Sequence, residues 1–151
     1  MPGPPAARIF DATAHGDPLK PGPCSSDVFI GGKKAWRALD PAAAQQLLSL
    51  AKKAAKSVTK AANAITEVDR TKHLDDLADT AEEMVKIMGS TDQHACTVVK
   101  LLIPDGNGVV IKGSSSVFIN GLPACRIGDL IQEVTSVNSI VAGEPTVLIG
   151  G

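Results

Sequence analysis

One short pattern, repeated three times, limits what this chain can become. Ala6-Ala7-Arg8-Ile9-Phe10-Asp11, Ala35-Trp36-Arg37-Ala38-Leu39-Asp40 and Ala124-Cys125-Arg126-Ile127-Gly128-Asp129 all read Ala-x-Arg-x-x-Asp. Each copy is followed downstream by a short apolar string that ends in a turn: Val28-Phe29-Ile30-Gly31-Gly32, Val117-Phe118-Ile119-Asn120-Gly121 and Val147-Leu148-Ile149-Gly150-Gly151. Such strings, bounded by glycine or Asn-Gly, predict short strands entering hairpin turns. Val28 and Ile30 then share one face and Phe29 takes the other. A unit this small cannot bury its own apolar face, so three of them predict one domain assembled by stacking like on like.

The second copy is interrupted. Between about Pro41 and Gly89 the composition turns to Ala, Lys, Leu and acidic residues, with no Gly or Pro inside. Ala44, Leu47, Leu48, Ala51, Ala54, Ala55, Val58, Ala61, Ala62, Ile65 and Val68 follow helical spacing, and Leu74, Leu77, Ala78, Ala81, Met84, Val85 and Met88 form a second stripe out of phase with the first. Asp40 suits an N-cap, Pro41 a first helical position and Gly89 a stop. The phase break places a turn within 66–72, with Thr66 or Thr71 capping the second helix. The expected organisation is a discontinuous β domain, residues 1–40 and 90–151, carrying an inserted antiparallel helical hairpin at 41–89.

Composition narrows the function classes. With 15 basic and 16 acidic residues the formal net charge is -1, which gives no electrostatic footprint for nucleic acid or an anionic membrane. Aromatics are 3% and Tyr is absent, so a base-stacking platform is not expected. No apolar run approaches the ~18–20 residues that span a bilayer, and Met1-Pro2-Gly3-Pro4-Pro5 has neither a basic nor an apolar leader region. Three cysteines, Cys24, Cys96 and Cys125, imply no closed disulfide framework. Cys125 reads as a small packing residue, Cys24 as a free thiol, and His73 as part of a solvated helix face.

The repeats resemble the PAAR-repeat family. The resemblance rests on Pro5-Ala6-Ala7-Arg8 with Asp11-Ala12-Thr13-Ala14-His15-Gly16, on Pro21-Gly22-Pro23, and on Ile30-Gly31-Gly32-Lys33-Lys34-Ala35-Trp36-Arg37. It continues through Ile119-Asn120-Gly121-Leu122-Pro123-Ala124 and Gly143-Glu144-Pro145-Thr146-Val147-Leu148-Ile149-Gly150-Gly151. It covers residues 1–37 and about 92–151; the helices are not part of the family pattern. The resemblance implies a mainly β, cone-shaped, pseudo-threefold domain of short hairpins. That cone would cap and sharpen the trimeric spike of a type VI secretion system or related phage-tail-like injector, one tip per trimer. The spike protein would be of the valine-glycine-repeat or phage-hub type. The protein would be cytoplasmic during assembly and then exported on the spike to the extracellular space or a target cell.

A metal staple is part of the same expectation. His94-Ala95-Cys96 sets an imidazole and a thiolate two residues apart, on one face if the segment is extended, and that pair is zinc chemistry, with iron as the lesser option. The resemblance adds His15 and a histidine after a proline. Here Pro104 is followed by Asp105, which can bind zinc, although Asp105-Gly106-Asn107-Gly108 is also an ordinary turn sequence. The implied site is His15, His94, Cys96 and Asp105 around a structural zinc. No catalytic signature accompanies it: His-Glu-x-x-His, Gly-x-Ser-x-Gly and the phosphate-binding glycine loop are all missing. The expected class is therefore structural and not enzymatic. A small zinc hydrolase is the remote alternative, and an adaptor that recruits an effector or chaperone through helices 41–89 is the nearer one.

Overall fold

The computed structural model describes residues 2–20, 23–89, 91–100 and 103–151; of 96–100 and 103–105 it describes the backbone path alone. The elements in chain order are β1 (Pro5–Ala6), β2 (Phe29–Ile30), β3 (Lys33–Lys34), α1 (Pro41–Asn63), α2 (Glu67–Met88), β4 (His94–Lys100), β5 (Ile103–Val110), β6 (Phe118–Ile119), β7 (Leu122–Pro123), β8 (Leu130–Gln132), β9 (Val137–Ser139) and β10 (Glu144–Leu148). They form a four-stranded antiparallel sheet in the order β4-β5-β8-β9 and the two-stranded pairs β1-β10, β2-β3 and β6-β7. The helices are the longest elements, at 23 and 22 residues, so the fold is mixed α and β, where the sequence had suggested mainly β.

The three copies of the repeat meet through their backbones. Ala7 N–H donates to Cys125 O at 2.9 Å, Cys125 N–H to Trp36 O at 3.1 Å, and Trp36 N–H to Ala7 O at 3.0 Å, which closes a ring. A second ring repeats the exchange: Ile9 N–H to Lys34 O, Ala38 N–H to Pro123 O and Ile127 N–H to Pro5 O. Chains can approach this closely because the residues at the centre are small. Ala6, Ala35 and Ala124 are fully buried and pack with Ile30, Ile119 and Ile149. Beside them Ala7, Trp36 and Cys125 share a core cluster with Leu19, Val110, Ile131 and Ile140. One large ring and two small side chains fill that centre together, as close packing demands.

The arginines anchor the units from outside. Arg8 binds Asp11 through its backbone N–H at 2.7 Å and its guanidinium at 3.1 Å, and Arg126 binds Asp129 in the same way at 2.8 and 3.1 Å. Arg37 departs from the expected pattern. It takes Asp92, at 2.8 Å from both its backbone N–H and its guanidinium, while Asp40 turns to the helix and accepts from Ala42 and Ala43 N–H. A carboxylate that caps a helix N-terminus satisfies orphan donors there and is not free for the arginine.

Helix α1 opens with Asp40 and Pro41 and buries Ala44, Leu47, Ala54 and Ala61. The turn falls at 64–66, earlier than the expected 66–72, so Ile65 lies in the turn and Val68 on α2, not on the stripe of the first helix; Thr66 caps α2 by accepting from Asp69 N–H at 3.1 Å. Gly89, at φ 54°, ends α2. The helices do not pack only on each other: Leu47, Leu77, Met84 and Met88 share one cluster with Leu39, Val109 and Val134. The third apolar string is closed differently from the other two. Leu148 of β10 pairs with Pro5 of β1, and Ile149 N–H donates to Pro4 O, so the two ends of the sequence complete that unit together.

Candidate metal centre and assignment to a family

His94 begins β4, and its β5 partner in register is Gly108. On the other side of β5, Val109 pairs with Gln132 and Val110 with Ile131 of β8, so the next position brings Glu133 beside Gly108. His94, Gly108 and Glu133 thus form a row across three strands. Strands lie ~4.8 Å apart, so the outer two residues would not meet over an ordinary side chain. The glycine removes the obstacle: a Cβ on Gly108 would lie 2.8 Å from Glu133 Cγ and 2.7 Å from Ile131 Cγ2. His94 Nε2 reaches Glu133 Oε1 at 3.5 Å across that gap.

His15 arrives from the loop between β1 and β2. Thr13 bridges to Ile140, Ala14 N–H donates to Ser139 O, and His15 N–H donates to Asn138 Oδ1 at 3.0 Å, so the loop is tied to β9. Its ring Nδ1 lies 3.1 Å from Glu133 Oε2. One carboxylate therefore stands between two imidazoles. Asn138 Nδ2 donates to its Oε1 at 3.0 Å and Ser136 Oγ to its Oε2 at 2.8 Å. The Asn138 amide also lies 3.3 Å from His94 Nε2, and His94 Nδ1 faces the carbonyl of Pro18 at 3.4 Å.

Glu133 and His94 are both buried, while His15 is a quarter exposed. Burial alone would raise the carboxyl's pKa. The hydrogen bonds from His94, Ser136 and Asn138, with the nearby His15, outweigh it and bring it down from 4.5 to about 2. The carboxylate is thus held ionised inside the protein.

Two of the four residues expected at a metal, His15 and His94, are brought together on Glu133. The side chains of Cys96 and Asp105 lie outside the described residues. Their backbones are placed: Cys96 follows His94 by two positions in β4 and pairs with Gly106, whereas Asp105 precedes Gly106 and is the register partner of neither His94 nor Cys96. The segment 105–108 lies within strand β5 and is not a turn. Among the described residues no three His, Cys, Asp or Glu side chains stand as a ready metal-holding group; the two imidazoles face separate oxygens of one carboxylate. As a donor set, two imidazoles and a carboxylate, with a cysteine two positions after His94 in the same strand, fit the chemistry of zinc.

Glu133 was missed in the sequence. Its signal is an acidic residue in an otherwise apolar stretch, Leu130-Ile131-Gln132-Glu133-Val134, but nothing in the spacing ties it to His15, 118 residues away. Cys24 and Cys125 are buried free cysteines, and burial holds the Cys125 thiol well above its ordinary pKa, which makes it an inert packing group. His73 sits on α2 beside Asp69 and Asp76, away from this cluster.

The comparisons with known proteins agree with the repeats. The model of the PAAR motif matches residues 83–133 and again residues 104–151. Neither the curated proteins nor the solved structures gave a match. The matched region holds the Arg126–Asp129 unit and the whole four-stranded sheet; the N-terminal copy contains the same kind of ion pair, Arg8–Asp11, and is bound to the matched region by the backbone exchange. The PAAR family is structural, and its known role lies at the spike of contractile injection systems, the type VI secretion system among them. Residues 83–151 of the chain thus carry the PAAR motif, and the repeats extend the likeness to the N-terminal copy.

Proposed function

We propose that this protein is the tip that caps and sharpens the trimeric spike of a contractile injection apparatus, with one copy per trimer. The observation that carries the reading is the closed exchange of backbone hydrogen bonds among Ala7, Trp36 and Cys125, in which each unit donates to one neighbour and accepts from the other. That cyclic exchange supports the reading of a pseudo-threefold, cone-shaped tip. Such a tip offers a true trimer three near-equivalent contacts and covers its strand ends.

The exposed residues support a docking face. Phe29, Phe118 and Leu148 hold corresponding places, opposite Lys34, Pro123 and Pro5, and are 57%, 55% and 47% exposed. Three apolar side chains at corresponding positions suit an apolar trimer end. A structural zinc held by His15, His94 and Cys96 would staple the small domain; sites of this kind contribute ~10–16 kcal/mol of apparent binding energy to folding. The protein acts without catalysis, is cytoplasmic during assembly and leaves on the spike.

The test is light scattering of the tip mixed with its cognate spike trimer. A 1:3 complex that Phe29→Asp and Phe118→Asp abolish is expected; a 3:3 complex, or no complex, would overturn the proposal.

A second role is favoured by one observation. Ile65 and Val68, at the turn of the inserted hairpin, are 98% and 82% exposed. We assign residues 41–89 to the docking of an effector or its chaperone. Pull-down of cargo with Ile65→Ser/Val68→Ser should fail while spike binding persists; unchanged cargo capture would rule this out.

A further inference from the structure

We infer that Glu133 is the acidic ligand of the metal centre, in the place that the sequence pattern had pointed to Asp105. The inference rests on the zinc reading of His15, His94 and Cys96 and adds to it a residue that neither the repeat nor the motif match singles out.

The convergence carries it first. Glu133 Oε2 lies 3.1 Å from His15 Nδ1 and Glu133 Oε1 lies 3.5 Å from His94 Nε2, so one carboxylate already gathers both imidazoles of the zinc reading. An ion held by all three would replace the two His–Glu hydrogen bonds.

The outer contacts agree. His94 Nδ1 faces the Pro18 carbonyl at 3.4 Å. With Nδ1 held by a backbone carbonyl, loss of the proton that Nε2 shares with Glu133 would leave Nε2 a lone pair for the ion, the usual arrangement of a metal-bound histidine. Ser136 and Asn138 hold the carboxylate in place, and an outer shell of that kind commonly orients a ligating carboxylate. Charge argues the same way. A buried carboxylate is kept where it is paired or binds a metal, and a divalent ion at Glu133 would supply the opposite charge. Gly108 clears the path between His94 and Glu133, whereas Asp105 stands outside that row.

The experiment uses the full chain stripped of metal and titrated with Zn²⁺ and with Co²⁺. Wild type is expected to bind one ion. Glu133→Gln, with its fold checked by circular dichroism, should lose more zinc affinity than the ~10–100-fold that an outer hydrogen-bond partner is worth. Asp105→Ala should leave affinity unchanged. Glu133→Cys places a second thiolate at the ion, so the thiolate-to-cobalt absorption should rise; this arm also stands in if Glu133→Gln does not fold. Wild-type affinity in Glu133→Gln, no added absorption in Glu133→Cys, or a loss confined to Asp105→Ala would overturn the assignment while leaving the metal centre intact. A folded wild type that binds neither ion would remove the metal centre itself.

Discussion

Arg37 closes its ion pair on Asp92, 55 residues further along the chain, and leaves Asp40, three residues away, to the helix. In the first and third units the corresponding partner lies at the third residue after the arginine. The helices have therefore been set between an arginine and its carboxylate, and the pair draws the two flanks of the insertion together. Asp92 is fully buried, so Asp92→Ala leaves the Arg37 charge without its partner. A loss of ~3–5 kcal/mol is expected, against about 1 kcal/mol for the cap lost in Asp40→Ala. Urea unfolding of the two variants measures the difference, and comparable losses would mean that Asp40 shares the arginine.

Gly108 is expected to tolerate no side chain. The nearest atoms to a new Cβ belong to Ile131, Glu133 and the Gln132 carbonyl, and two of the three are closer than 3 Å. Gly108→Ala should cost ~1–3 kcal/mol through overpacking and should lower zinc affinity together with stability, because the displaced side chain is Glu133. Thermal unfolding with and without added zinc checks both effects. A variant that is destabilised but binds zinc as tightly as wild type would separate the packing role from the site.

Gly3 guards the seam between the two ends. A Cβ there would lie 1.9 Å from the Ile149 carbonyl oxygen. Gly3→Ala should open the β1–β10 pairing, and amide hydrogen exchange at Ile149, whose N–H donates to Pro4 O, should rise well above that at Ala7.

Deleting residues 42–88 in favour of a short Gly/Ser linker removes one wall of the cluster that holds Leu39, Val109 and Val134. Each large aliphatic side chain uncovered costs ~1.5–3 kcal/mol. The shortened protein should therefore unfold at lower temperature than wild type, and Val109→Thr/Val134→Thr in the shortened chain should improve its solubility. An unchanged transition would mean that the helices contribute nothing to the β core.

Cys24 and Cys125 should be silent towards a thiol reagent in the native protein and react at the rate of unfolding, since both are buried and the Cys125 thiol resists ionisation. Mass spectrometry of the labelled peptides reads this directly.

Some of this architecture could be read in the sequence because it depends on neighbours. The caps at Asp40 and Thr66, the alanine stripe of α1 and the small residues at 6, 35 and 124 are local requirements of helix ends, helix faces and close backbone approach. The partner of Arg37 could not be read, because Asp40 satisfies the same short pattern and only the helix start decides between two uses of one carboxylate. Glu133 was hidden for another reason. Its meaning comes from a row across three strands, β4, β5 and β8, and the β5–β8 pairing joins segments that are not neighbours along the chain.

The pairing of Pro5 with Leu148 has a consequence for how the molecule is made. Strand β1 has no other strand partner, and the Ala7–Cys125 bond also waits for late residues. At ~5–20 residues per second the ribosome needs roughly 8–30 s for a chain of 151 residues. For most of that time β1 waits for its partner. Only when β10 emerges can the last unit close on the first, so the first unit stays incomplete until Leu148 has been made.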